Sequence, residues 1–142
     1  MSAYDTDNVF ARILRGELPS HTVYEDEATV AIMDIMPRAD GHVLVIPKAA
    51  CRNVLDAPPE ALQAVALTTQ RMARAVKAAF AADGVTIQQF NEAAGGQVVF
   101  HLHVHVMPRH DGVALRPHTG AMADAEVLKA NAKKIRLALT TL

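Results

Sequence analysis

Phe100-His101-Leu102-His103-Val104-His105-Val106-Met107-Pro108 is the stretch on which the reading of this chain turns. Alternate residues of a strand share a face and advance about 3.3 Å each. The three imidazoles are therefore expected on one face, and Leu102, Val104 and Val106 on the other, in apolar packing. Burying three rings without partners is costly, so the histidine face reads as chemical. Metal binding is one use of it. His101 and His105 would stand about 13 Å apart along the strand, and a tetrahedral ion with bonds of about 2 Å could take two of the three, plus distant residues. Nucleophilic catalysis is the other. A neutral imidazole attacks phosphorus near neutral pH, and its neighbours donate hydrogen bonds to phosphate oxygens as charge builds. That chemistry uses all three rings and needs no metal.

Working outward, the spacing of Val9, Phe10, Ile13 and Leu14 predicts a short helix over 7–14, stopped by Gly16 and Pro19. Strands are expected over 22–25 and 28–33, and over 42–47, where the apolar run Val43-Leu-Val-Ile46 fits a strand buried on both faces or one at a subunit interface. Pro58 and Pro59 open the longest helix, whose apolar residues recur at three- and four-residue steps to Phe80 and which Asp83-Gly84 is expected to stop. A strand over 85–90, a Gly-rich loop over 91–97, the histidine strand over 98–107 and an amphipathic helix over 124–139 complete the order. Short links between the early strands imply antiparallel pairing. The fold expected is α+β, an antiparallel sheet with a long helix and flanking helices packed on one side.

The chain has 142 residues, the size of one domain, with 51% hydrophobic residues. Its 14 basic and 15 acidic residues give a net charge of −1, so no general field attracts nucleic acid. One cysteine, Cys51, permits no intrachain disulfide and suits a reducing cytoplasm. No segment approaches the ~20 apolar residues of a membrane span.

His101-Leu-His-Val-His-Val-Met resembles the signature of the histidine-triad (HIT) family of nucleotide hydrolases and transferases, a histidine alternating with apolar residues. Three further blocks agree in order: Phe10-Ala-Arg-Ile-Leu-Arg-Gly-Glu-Leu-Pro19; Asp34-Ile-Met-Pro37 with Gly41-His-Val-Leu-Val-Ile-Pro-Lys48; and Asn91 with Gly95-Gly-Gln97. The similarity covers about residues 8–112, leaving a helical tail over 123–140. The resemblance implies a homodimer with joined sheets and a purine nucleotide pocket in each subunit, no required cofactor, and no nucleic-acid or membrane partner. It implies that His103 attacks the α-phosphate of a phosphoramidate or dinucleoside polyphosphate and becomes nucleotidylated. His105 would contact the phosphate and help the leaving group, His101 would orient the site, and His42 would complete the network. Asp34 would bind ribose hydroxyls and Asn91 the phosphate–ribose region. Gly96, Gln97 and nearby amides would line the phosphate site, and Phe10, Ile13, Ile32 and Leu44 would enclose the base.

Three positions depart from the family's pattern. Val98 stands where many members carry a hydroxyl. Asn8 and Ala11 stand where some bacterial relatives carry a zinc-binding Cys-x-x-Cys, and Ala50 where a further histidine is common. No structural zinc is therefore expected. Two other readings stay open: a nucleotide-binding regulator with slow turnover, and a metal-dependent hydrolase built on the histidine face.

Overall fold

The computed structural model describes residues 3–117 and 120–142. Asn8 caps the first helix, α1 (Val9–Leu14), its side-chain oxygen accepting from the Ala11 amide, which satisfies one of the donors a helix start leaves over. Three strands follow, β1 (Thr22–Glu25), β2 (Thr29–Met33) and β3 (Val43–Pro47), then the long helix α2 (Pro59–Ala79) and β4 (Gly84–Gln88). A single 3-10 turn (Ala93–Gly95) leads to β5 (Val104–Arg109) and the last helix, α3 (Ala125–Leu139). All pairings are antiparallel, and the sheet order is β1-β2-β3-β5-β4.

Every residue of β2 and β3 is buried, because the centre of the sheet is covered on both faces. On one, Ala31, Met33, Val43, Val45, Val104 and Val106 meet Val65, Met72 and Val76 of α2 and Leu128, Ala132 and Ile135 of α3. On the other, Val30, Ile32, Leu44 and Ile46 meet Phe10, Ile13 and Leu14 of α1. Each fully buried aliphatic side chain contributes about 1.5–3 kcal/mol, so β3 and β5 form a platform anchored from two sides. The helices are thus not all on one side, as expected from the sequence: α1 takes the opposite face. The apolar run of β3 is accounted for within one chain and is not evidence of a subunit interface.

Two other expectations change. The α2 helix ends at Ala79 and not at Asp83-Gly84: Phe80 caps it, and Ala81 supplies the left-handed residue with φ 48°. Gly84 instead opens β4. The histidine strand begins at Val104, not at 98. Its ladder with β3 spans only Val43 to Val45 against Val106 to Val104. Beyond that point the Leu102 amide turns to the carbonyl of Cys51 at 3.0 Å, and β3 ends at Pro47, which has no N–H to offer.

Candidate active site

His105 is the one triad histidine inside β5, opposite Leu44 of β3 and Gln88 of β4. His101 and His103 precede the strand, with a bend at His101, and the three rings do not share a single environment. His103 and His105 lie with ring centroids 5.0 Å apart and line a cavity of about 380 Å³, a size typical of small-molecule sites. His101 does not line it. That ring is fully buried, with Nε2 2.9 Å from the carbonyl of Pro47 and Nδ1 2.5 Å from the Tyr4 hydroxyl.

The partners of these rings fix their protons, because a carbonyl oxygen only accepts and a backbone amide only donates. His103 Nδ1 lies 2.7 Å from the His101 carbonyl, so it carries the hydrogen, and the lone pair of neutral His103 is on Nε2. His101 donates from Nε2 to Pro47 and accepts from Tyr4 at Nδ1. Burial pushes the His101 imidazole below its ordinary range, against the smaller raising effect of the Pro47 carbonyl. His42 is fully buried, and its Nδ1 accepts the Arg38 amide at 3.0 Å. Its Nε2 therefore bears the hydrogen and donates to His105 Nδ1 at 2.9 Å, with Asp34 Oδ2 3.4 Å away. That bond places the proton of neutral His105 on Nε2.

The apolar wall of the cavity includes Phe10, Ile13, Ile32 and Leu44, four residues that also belong to the α1 side of the core. Phe10 packs edge-on to His103, with ring centroids 4.8 Å apart. Asp34 lines the cavity too. One of its oxygens takes the Met36 amide at 2.9 Å, the Asx turn expected of an aspartate ahead of Pro37, while the other turns toward His42.

The Gly-rich loop differs from expectation. Gly96 lines the cavity with φ +98°, but Asn91 and Gln97 are not among the lining residues. The Asn91 side chain is taken up by Gln89 and the Val54 amide. Gln97 is buried; its amide nitrogen donates to the carbonyls of Arg52 and Val99, and its oxygen accepts from Asn53 and the Glu92 amide. The backbone amides of Gly95, Gly96 and Gln97 turn inward to Glu92 and Ala93. A bidentate Arg52–Glu92 pair and Asn53 tie this loop to the segment after β3. These bonds shape the loop.

The sequence reading missed Tyr4, Arg38 and Phe90. Tyr4 reaches His101 across 97 residues, and no local pattern signals such a contact. Arg38 and Phe90 line the cavity; their signals were adjacency to Pro37 and to Asn91. Cys51 is buried, its thiol pushed up to about 11 by burial, and so is inert near neutral pH. Among the described residues, Asp34, His42 and His105 form the one group with metal-ligand spacing.

Known proteins resemble this chain in sequence and fold. A crystal structure of a Hit-like protein involved in cell-cycle regulation from Bartonella henselae superposes with a TM-score of 0.90, is 53% identical and covers 96% of this chain and 99% of its own. A Zn-bound histidine triad family protein from Mycobacterium smegmatis is 36% identical, with a TM-score of 0.83 over 96% of this chain and 95% of its own. Adenylylsulfatase HINT3 of Arabidopsis thaliana is 36% identical over 110 residues, which is 78% of this chain and 56% of that protein. The sequence profile of the HIT domain matches residues 15–112, nearly the span read from the motifs, and with these likenesses it makes the chain a member of the HIT family.

Proposed function

We propose that this protein hydrolyses nucleotides at the α-phosphate through a covalent nucleotidyl-His103 intermediate. The observation that carries the reading is the His103 Nδ1 to His101 carbonyl bond of 2.7 Å, which leaves the Nε2 lone pair for attack in a ring that lines the cavity. In the first step the bond from Nε2 to phosphorus forms as the bond from phosphorus to the leaving atom breaks, and the electron pair goes to that atom. In the second, water takes the place of His103 on phosphorus, and the nucleoside monophosphate departs. His105 donates its Nε2 hydrogen to the phosphate or leaving atom as charge builds. His42 holds His105 in that tautomer, a role of the kind that outer hydrogen bonds play at many sites.

Phe10, Ile13, Ile32 and Leu44 take the purine, and Asp34 the ribose hydroxyls. Gly96 permits close approach of the loop to the phosphate. Asn91 and Gln97 support this reading only as scaffolding. Phosphoramidates and dinucleoside polyphosphates are the substrate classes proposed, and adenylyl sulfate joins them through the likeness to an adenylylsulfatase.

The reading uses no metal. A divalent ion at Asp34, His42 and His105 would need the Nε2 lone pair of His42. That nitrogen holds the proton as long as Nδ1 accepts from the Arg38 amide, which argues against the metal-dependent alternative. A homodimer is proposed through the β4 edge. The β1 edge is occupied by the Arg136 guanidinium of α3, which donates twice to the Thr22 carbonyl. Among the described residues no further strand pairs with the β4 edge, and Ile87 on it is exposed. A cytoplasmic setting rests on the single reduced thiol; no described helix is long and apolar enough to cross a membrane.

Turnover of adenosine 5′-phosphoramidate and diadenosine tetraphosphate tests the function, with His103→Asn as the control. The proposal expects release of adenosine monophosphate by the native protein and a loss of at least about a thousandfold in the variant with nucleotide binding retained. Equal turnover in the two proteins would reject it, and tight binding without turnover in either would favour the regulatory reading.

A further inference from the structure

A second cavity of about 200 Å³ adjoins the first through Arg38, which lines both. Arg109, Arg116 and His110 line it as well, and Asp40 is its one carboxylate among the described residues. Arg116 pairs with Asp40 at 2.6 Å. Arg38 and Arg109 are bonded only to neutral groups: Arg38 to the Arg116 carbonyl and the Gln88 side chain, Arg109 to the Thr86 hydroxyl and the Val113 carbonyl. Their charges have no acidic partner within salt-bridge range among the described residues. Arg38 is also the one Lys or Arg that lines the nucleotide cavity among the described residues. It sits at the His105 end, since its partner Gln88 stands opposite His105 in the sheet.

We infer that Arg38, Arg109 and Arg116 form an oxyanion subsite that takes the phosphates beyond the scissile bond, so that this chain favours substrates whose leaving group is an anionic polyphosphate. The inference rests on the nucleotide-hydrolase reading and deepens it. Guanidinium groups match phosphate oxygens in geometry as well as charge.

Two measurements on the full chain test this. The first is calorimetric binding of inorganic tripolyphosphate and of orthophosphate to the native protein and to Arg109→Met. The subsite expects tripolyphosphate to bind and to weaken at least about tenfold in the variant. The second is the ratio of kcat/KM for diadenosine tetraphosphate to that for adenosine 5′-phosphoramidate. It should fall about tenfold in Arg109→Met, with the phosphoramidate value within about twofold of native. Arg109→Lys should keep most of the ratio, and Arg109→Gln reads the same ratio should Arg109→Met fail to fold. Unchanged tripolyphosphate binding, or an unchanged ratio, overturns the inference. Orthophosphate binding as tightly as tripolyphosphate, with the ratio unmoved, would make this a site for free phosphate and overturn it too. Arginine-dependent tripolyphosphate binding without turnover of either nucleotide would leave the subsite standing and reject the hydrolase.

Discussion

The ring of His103 donates from Nδ1 to the carbonyl oxygen of His101, its neighbour two residues earlier, at 2.7 Å. The bond settles which nitrogen carries the lone pair. It also explains why His101 matters without touching the cavity: His101 is pinned by Pro47 on one side and Tyr4 on the other, so its carbonyl is a fixed acceptor. Preorganisation of this kind spares the site reorganisation during reaction.

His42 is placed to act through His105. Replacing it with Leu removes the donor that holds His105 and leaves the Arg38 amide without its acceptor. The expected outcome is a fall in kcat of about tenfold to a hundredfold, with KM changed much less. Steady-state kinetics over a range of nucleotide concentrations checks this; a change confined to KM would show that His42 serves ground-state binding.

Stability should depend on pH through His101. Burial holds its folded-state pKa below the ordinary value of 6.5. Between the folded value and 6.5 the unfolded chain therefore binds more protons than the folded one, so stability rises with pH across that window. The contribution is full above about pH 6.5 and is lost as pH falls through the folded value. Thermal melts from about pH 7.5 to 5.5 should show a falling Tm, and His101→Asn should flatten the slope. Equal slopes in the two proteins would remove His101 from the account.

Gly41 and Gly16 make a matched pair of tests. Both have positive φ, +89° and +78°, but a Cβ on Gly41 would come within 2.3 Å of the Phe80 ring while one on Gly16 meets nothing within 4 Å. Gly16→Ala carries only the backbone cost, about 1 kcal/mol. Gly41→Ala adds displacement of Phe80, for a total of about 2–4 kcal/mol. Denaturant unfolding of both variants measures the difference, and equal losses would show that Phe80 gives way freely.

Gln97 is predicted to be a structural residue. Gln97→Leu strands the Glu92 amide, the Arg52 and Val99 carbonyls and an Asn53 donor, and should cost about 2–4 kcal/mol of stability. Unfolding measurements on the variant check it. Native stability with a selective loss of nucleotide affinity would return Gln97 to the phosphate site.

Local pattern made much of this legible. The continuous apolar runs of β2 and β3 and the three- and four-residue spacing of α2 mark elements whose burial depends on their own sequence. What failed were features set by distant partners. The start of β5 depends on where β3 runs out at Pro47 and on the Cys51 carbonyl, neither of which is visible from 98–107. Asn91 and Gln97 have the residue types of a phosphate loop, yet Asn53 and Gln89 claim their side chains. The placement of α1 on the far face follows from Phe10 meeting Ile32 and Leu44, contacts that periodicity alone does not orient.

The central claim is a covalent bond from His103 Nε2 to phosphorus. The most direct measurement is intact-mass and peptide-mapping mass spectrometry of the protein quenched shortly after mixing with adenosine 5′-phosphoramidate or diadenosine tetraphosphate. The account predicts an added adenylyl group on the peptide containing His103, absent from His103→Asn and lost as adenosine monophosphate appears. Turnover with no adduct on any residue at early times, or an adduct mapped to His101 or His105, would contradict it.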